Sequence, residues 1–420
     1  MKVFKFGGAS VKDADGIKNV AEIIKKFGDA KTLVIVSATG KTTNALEEVV
    51  DAYFNKTGEA KNKINTIKQN HINICKDLFG DQVSGAYDQI ENLMVELDWQ
   101  IEEDRLESYN YVYDQIVSLG EMLSSVILSH YLNHFGVKNE WLDVRDVLKT
   151  DDTYREAVIN WEVSTQKVEE ILKPMLIRNT VVSQGFIGST DDNCTTTLGR
   201  EGSDFTAAIF ANILNAESQT IWKDVPGVMS GDPRKFQDAV FIDELTYFEA
   251  VEMTYYGASV IHPKTIKPIQ NKDIPLLVKS FINPEGKGTK VYGAQHHINY
   301  PPVRVLKEDQ ALLTFHSKDF SFVADETVSE LLKAFANANL KINMIQTGAI
   351  SLQAVVDNTP EKIKQVIADL NVDFNIQQEE GLTILTIRHY NDAIVEKHLA
   401  NKNPILTQKR ASTFQVLFER

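Results

Sequence analysis

Cysteine is almost absent: only Cys75 and Cys194 stand in 420 residues, and neither has a C-x-x-C neighbour. That excludes a disulfide framework and a cysteine metal cluster, and it points to a reducing, cytoplasmic setting. No apolar run approaches the length of a membrane span. A cleavable leader is not expected either, because the opening "KVFKF" already reads as a core strand. Positive charge is in the minority, with 44 Lys and Arg against 58 Asp and Glu and a net charge of −14. This balance argues against non-specific nucleic-acid binding and against an anionic membrane surface. It does not exclude phosphate ligands, which local lysines and helix N-termini can hold. The remaining composition is that of a globular protein, 43% hydrophobic and 24% charged, long enough for two to three domains.

The first two-thirds alternate strand and helix patterns. "KVFKFGG" leads into the helical "DADGIKNVAEIIKKF", and "KTLVIVSAT" has the apolar, β-branched run of a strand buried on both faces. Residues 45–115 are charged and periodic with few breakers, which predicts long helices leaving the sheet. "QIVSLGEMLSSVILSHYLNHFG" predicts another helix, closed by Gly136. The alternation implies an α/β class, three layers around a largely parallel sheet. A Gly/Pro/Asn-rich stretch places a domain boundary near residues 293–302. Beyond it the order of elements is βαββαβ, with Thr359 as N-cap and Pro360 at the first position of the second helix. A partial second copy follows. The expected division is therefore 1–295, 302–380 and 381–420, the last two being small α+β modules suited to sensing or dimerisation.

Four segments of the first part carry anion-handling chemistry, and a parallel sheet brings such segments to one edge. In "KFGGAS", Gly7 and Gly8 let backbone approach phosphate oxygens and Lys5 adds a point charge. On this segment alone, a plain strand-to-helix turn with a solvated lysine is the default reading. "SATGKTTN" ends like a P-loop, but Ile35 stands where the first glycine is required, so a Walker A site is rejected. Its hydroxyls suit either a polar ligand or a helix cap at Thr43 or Asn44. In "SLGEMLSS", Glu121 lies among Ile, Val, Leu and Met, where a carboxylate is costly unless paired. Its partner is by default a structural Arg or Lys, or else the ammonium group of a bound amino acid. "TTTLGREGSDFTAA" packs hydroxyls, Arg200 and Asp204 into the mouth of a helix. Arg200 can grip a carboxylate in two places, Ser203 can cap the helix, and Asp204 is better suited to orienting a lysine than to holding an anion.

Together these segments resemble the aspartate kinase family. The matching motifs are "KFGGAS", "VSATGKTTN", "SLGEMLSS", "GFIG" with "TTLGREGSDFTAA", "DVPGVMSGDPR" and "YGASVIHPKTIKP", in the family's order over residues 1 to about 292. The resemblance implies an amino-acid-kinase fold followed by ferredoxin-like ACT modules. It implies transfer of the γ-phosphoryl of Mg-ATP to the β-carboxylate of L-aspartate, which feeds lysine, threonine and methionine synthesis. It implies Lys5 as the group on the transferring phosphoryl, with Asp204 holding it. Glu121 would take the ammonium of aspartate and Arg200 a carboxylate. Ser37, Thr43, Phe186 and Ser203 match further substrate positions. Gly7, Gly8, Lys223, Asp224, Met229, Arg234, Ser259 and Lys264 fall at nucleotide positions. Magnesium would arrive with the ATP rather than on a protein site. The expected partners are aspartate, ATP, an amino-acid effector such as lysine or threonine, and a second copy of the chain in a homodimer or larger homo-oligomer.

Departures from the pattern bear on detail. Ala9 stands where the family has Thr; Lys223, Pro226 and Met229 replace Thr, Asp and Tyr; and Ser259 replaces a lysine for which Lys264 is a candidate substitute. In lysine-inhibited relatives a Ser-Glu pair follows the "M-I" strand. Here Gly348 and Ala349 stand there and cannot ligate an ammonium, which leaves Asn343 as a polar contact. The length leaves no room for an appended dehydrogenase. Two alternatives stay open: another phosphotransferase of the same fold, and a catalytically silent amino-acid sensor.

Overall fold

The chain opens with a strand that becomes the middle of a sheet. β1 (Lys2–Phe6), β2 (Thr32–Val36), β3 (Asn139–Leu142), β4 (Thr180–Gln184), β5 (Ser218–Lys223), β6 (Glu244–Thr246), β7 (Leu276–Ser280) and β8 (Thr289–Tyr292) pair in the order β6-β8-β7-β5-β1-β2-β4-β3. Every pairing is parallel except β7 with β8. β2 and β4 are buried at all positions, as their unbroken apolar or small-polar runs require of strands covered on both faces. This computed structural model describes all residues except 30, 81–84, 103–106, 259–260, 319–321, 324, 401 and 420.

Helices cover the sheet. α1 (Ala14–Phe27) starts at Asp13, whose carboxylate accepts from the Gly16 N–H, and buries Ile17, Val20, Ala21 and Ile24 on one stripe. The predicted helical excursion is α2 (Thr42–Phe54), α3 (Ala60–Phe79), α4 (Gly85–Glu102) and α5 (Tyr109–Val117). It packs through Ile64, Ile67, Ile90, Met94 and Leu97, all buried. The single helix expected over 115–136 is divided: α6 runs Leu119–His134, and Ser118 separates it from α5. α6 is apolar nearly all round and buried over most of its length, which suits a helix enclosed on all sides. Gly136, at φ +87°, follows its end. α7 (Gly202–Ile213) and α8 (Pro263–Gln270) pack together near β1 and β5.

The described chain forms two compact units. The first is Met1–Val228, Phe241–Val251 and Val260–Ile298; the second is Met229–Val240, Glu252–Ser259 and Asn299–Arg420. The crossing at residues 298 and 299 falls inside the expected boundary region, but two short runs within the first two-thirds belong to the second unit.

The second unit contains β9 (Val303–Ser317), α9 (Asp325–Asn337), β10 (Ile342–Thr347), β11 (Ser351–Asp357), α10 (Pro360–Leu370), β12 (Phe374–Arg388), α11 (Asp392–Leu399), β13 (Pro404–Lys409) and β14 (Thr413–Glu419). They make one antiparallel sheet in the order β10-β11-β9-β12-β14-β13. The two C-terminal modules expected from the sequence are thus fused. β12 runs unbroken through residues 380 and 381, and both long strands serve both halves. β9 changes register between Lys307 and Gln310 and again before Leu312, with Asp309 at φ +53°. One helical face packs Leu331, Phe335, Ile363 and Val366 on Phe315 and Phe374. Thr359 precedes α10 without a side-chain capping bond, so Pro360 alone carries the start signal there.

Candidate active site

Lys5 is the fourth residue of β1, and the parallel register sets it beside Ile35 and Ile221. A lysine so deep in a sheet needs a counter-charge. Asp204, in the first turn of α7, supplies it: Asp204 Oδ1 lies 2.7 Å from Lys5 Nζ, and the aspartate is 1% exposed. The other carboxylate oxygen, Oδ2, is buried without a hydrogen-bond donor among the described residues. Breaking such a buried pair leaves an uncompensated charge, so each group fixes the other.

Glycines bring the backbone in. A Cβ on Gly8 would lie 2.6 Å from the Ala38 carbonyl oxygen, so only glycine lets the turn after β1 pack on the loop after β2. A Cβ on Gly185 would lie 2.5 Å from Ser203 Cβ, which docks the "GFIG" turn against the start of α7. Phe186 follows at φ +69°, and its N–H donates to Thr206 Oγ1 at 3.0 Å. α7 begins at Gly202, after Glu201 at φ +58°. Ser203 is therefore inside the helix and does not cap it. Nor do Thr43 and Asn44 cap α2, which starts at Thr42.

Glu121 sits in the first turn of α6, 3% exposed. The structural arginine or lysine expected beside it is missing among the described residues. Its Oε1 accepts the Ala38 N–H at 3.3 Å, and Oε2 has no hydrogen-bond partner among the described residues. Burial pushes its pKa up to about 8, opposed by the Ala38 N–H, its own backbone N–H and the charge of Lys5. A buried carboxyl oxygen without a donor is rare in folded proteins and calls for a specific reason.

These groups share one cavity of about 790 Å³. Its lining includes Lys5, Ser37, Thr43, Glu121, Phe186, Arg200, Ser203 and Asp204, so all eight residues expected for catalysis and acceptor binding come together. The nucleotide set is more dispersed. Gly7 lies close to Lys5, since a Cβ there would be 3.5 Å from Nζ. Lys223 ends β5, and Asp224 is exposed just after it. Lys264 is exposed in the first turn of α8, on a separate cavity with Trp161 and Phe205. Met229 and Arg234 belong to the second unit, where Arg234 makes a two-pronged pair with Asp232 at 3.0 and 2.8 Å. Ser259 lies outside the described residues. Asn343, expected as an effector contact, is also in the second unit. It gives both amide hydrogens to Gln310 and Asp357 at 2.8 Å each, and its oxygen accepts Lys307 Nζ at 2.9 Å.

Sequence reasoning missed one wall of the cavity: Glu47, Tyr113 and Arg155. Tyr113 donates its hydroxyl to Glu47 Oε1 at 2.6 Å. Asp114, fully buried and raised to about 6 by burial, accepts Thr197 N and Oγ1 at 2.7 Å each and Arg155 N at 3.0 Å. Nothing in the helical pattern of "ESYNYVYDQIV" marks these positions.

The cavity thus brings together one lysine, two arginines, a buried carboxyl group and backbone that only glycine lets approach. Known proteins share this fold and much of this sequence. The amino acid kinase family matches over residues 1–280. Lysine-sensitive aspartokinase 3 of Escherichia coli strain K12 is 32% identical over 392 residues, 92% of this chain and 86% of that protein. The crystal structure of E. coli aspartokinase III with aspartate and ADP superposes with a TM-score of 0.83 at 30% identity, covering 100% of this chain and 96% of that one. Aspartate kinase of Clostridium acetobutylicum, at 24% identity and a TM-score of 0.79, has the same fold. The bifunctional aspartokinase/homoserine dehydrogenase 1 of Arabidopsis thaliana is 35% identical, but this chain spans only 32% of its length. The chain belongs to the amino acid kinase family, among its aspartokinases.

Proposed function

We propose that the chain is an aspartate kinase, transferring the γ-phosphoryl of Mg-ATP to the β-carboxylate of L-aspartate to give 4-phospho-L-aspartate. The observation that carries this reading is the meeting, in one cavity, of the Lys5–Asp204 pair with unpaired Glu121 and Arg200. The E. coli relative crystallised with aspartate and ADP supports it.

The acceptor carboxylate is already ionised at pH 7, so no general base is needed. What the reaction needs is alignment and charge neutralisation. Glu121 takes the ammonium group and Arg200 a carboxylate. Ser37, Thr43, Ser203 and the Phe186 backbone close the polar contacts. Lys5, held by Asp204, neutralises the charge on the phosphoryl in flight, with Gly7 and Gly8 at its side. Among the described residues no cluster of three or more carboxylate, histidine or cysteine side chains could hold a metal. In this reading the triphosphate brings the magnesium. Lys223, Asp224, Met229, Arg234, Ser259 and Lys264 remain the nucleotide set. The C-terminal modules are assigned to regulation and to pairing of two chains. No helix among the described residues is long and apolar enough to cross a membrane, and a cytoplasmic location belongs to the same proposal.

The test is an assay with Mg-ATP and L-aspartate in which hydroxylamine traps the acyl phosphate. Hydroxamate from aspartate is expected. Product from a different acidic amino acid would move the acceptor assignment, and ATP binding without turnover on any amino acid would leave a sensor.

A further inference from the structure

A second cavity, of about 480 Å³, lies against α7 and α8, and the proposed reaction uses nothing of it but Lys264. It shares one residue, Glu156, with the cavity that holds Lys5 and Glu121. Its body is apolar: Phe205 of α7 and Pro268 of α8 line it, with Val158 and Trp161 from the stretch after β3. Val158 is 62% exposed and Trp161 41%. Large apolar side chains left in water around one hollow mark a binding surface, whereas single ones scattered over a protein do not.

The hollow is also cationic. Lys264 and Lys267 stand one turn apart on α8, and both line it. Neither has a carboxylate within ion-pair distance among the described residues. Glu156, the carboxylate of this lining, lies against Gly199 of the first cavity: a Cβ on Gly199 would be 3.2 Å from its Cγ and 3.6 Å from Oε1. The walls are held in place. Ile159 bridges to Thr150, the Asn160 N–H donates to the Lys149 carbonyl at 2.8 Å, and the Ala157 N–H donates to the Thr197 carbonyl at 2.9 Å. Asn160 Oδ1 accepts the Val163 N–H at 3.2 Å, at the start of the helix that carries Trp161. Asn212 Nδ2 donates to the Pro268 carbonyl at 2.7 Å and ties α7 to α8. A ligand would meet a formed surface, with little left to order on binding.

We infer that this hollow is a second ligand site, for a small monoanion with a flat apolar body, of the class of aromatic carboxylates. The apolar body lies on Trp161, Phe205 and Pro268, and the carboxylate meets Lys264 and Lys267. Two ammonium groups offset by Glu156 leave one net positive charge, which one carboxylate matches. A neutral apolar ligand would leave both ammonium groups unmatched. A triphosphate would set its further charges on an apolar wall and beside Glu156. The volume is that of a small-molecule site. The inference does not depend on the aspartate reading, because it concerns binding in a different cavity.

The test titrates the full chain with 3-phenylpropionate in a calorimeter. Saturable binding at one site is expected, with a Kd of about 1 mM or lower. The neutral 3-phenylpropanamide keeps the ring and lacks the charge, and it should bind about 3- to 10-fold more weakly. Propionate, which lacks the ring, should not saturate. Lys264 belongs to the nucleotide set, so the variants spare it. Lys267→Gln should bring the acid toward the affinity of the amide and leave the amide unchanged. Trp161→Ala, at an exposed position, should weaken both about tenfold. Saturating Mg-ATP and aspartate should leave the probe bound. Displacement by Mg-ATP would make the hollow part of the nucleotide site, and displacement by aspartate would put the probe in the first cavity; either result overturns the inference. So does equal affinity for acid and amide, an affinity that neither variant changes, or no saturation up to about 10 mM. A chain that forms no hydroxamate from aspartate can still bind the probe, so the two readings fail separately.

Discussion

If Glu121 receives the ammonium group of aspartate, binding must be linked to a proton. Its pKa of about 8 leaves the carboxyl mostly neutral at pH 7 in the free protein. One unit below the pKa, about a tenth of the molecules carry the charge. An ammonium favours the ionised form, so the apparent affinity at pH 7 should lie about tenfold below its plateau, or about 1.4 kcal/mol. KM for aspartate should then fall by up to tenfold per pH unit as pH rises from 6 toward 8, and level off above it. Calorimetry in buffers of different ionisation enthalpy should report release of nearly one proton per aspartate bound at pH 7. Glu121→Gln should bind aspartate poorly and show no such slope. A flat KM between pH 6.5 and 8.5 with no proton release would refute the assignment.

The same carboxyl affects stability with a definite sign. Its folded pKa is raised above the ordinary value of 4.5, so its contribution is complete below that pH and is lost as pH rises through about 8. The ligand-free protein should therefore lose thermal stability over this interval. Glu121→Gln, neutral throughout, should lose less, and added aspartate should restore what the carboxylate costs.

Lys5→Met should remove most of the turnover while aspartate binding measured by calorimetry survives, because the lost charge acts on the phosphoryl; retained turnover would reject the role. Arg200→Ala should weaken saturation by aspartate about 10- to 100-fold, and unchanged saturation would reject that contact. Free lysine should inhibit weakly or not at all, since the polar groups of Asn343 are already engaged with Lys307, Gln310 and Asp357; submillimolar inhibition would show that this network opens for an effector.

The site was legible where a residue type contradicts its surroundings. A lysine at the end of an apolar strand and a glutamate inside an apolar helix both announce that something must meet them, and Lys5 and Glu121 do converge. The identity of the meeting group was not legible for Glu121, because a structural cation and a substrate ammonium make the same demand on sequence. Only the packed structure shows that no described side chain answers it. Arg155 was invisible for a different reason. Its place on the cavity lining depends on a left-handed backbone and an aromatic ring 42 residues earlier in the chain, and neither leaves a local pattern.

The C-terminal part was legible as elements and as α+β modules, but not as one shared sheet. Its strands and helices follow from alternation and from Pro360, but whether two copies are separate or share a sheet depends on how far two strands continue. β9 and β12 are 15 residues each, long enough to serve both halves. The register change at Lys307–Gln310 lets one strand do so, because a one-residue shift moves the apolar set from one face to the other. That bulge also sets Gln310, 2% exposed, beside Asn343 and Asp357, and places Lys307 Nζ 2.9 Å from Asn343. The irregularity that fuses the modules thus holds the chain's own ammonium against the asparagine left, by the resemblance, to receive an effector's. An amino acid that regulates this protein through Asn343 must displace Lys307 or bind on the other side of the network. The side chains that decide between these lie on β9, outside every motif that identified the family.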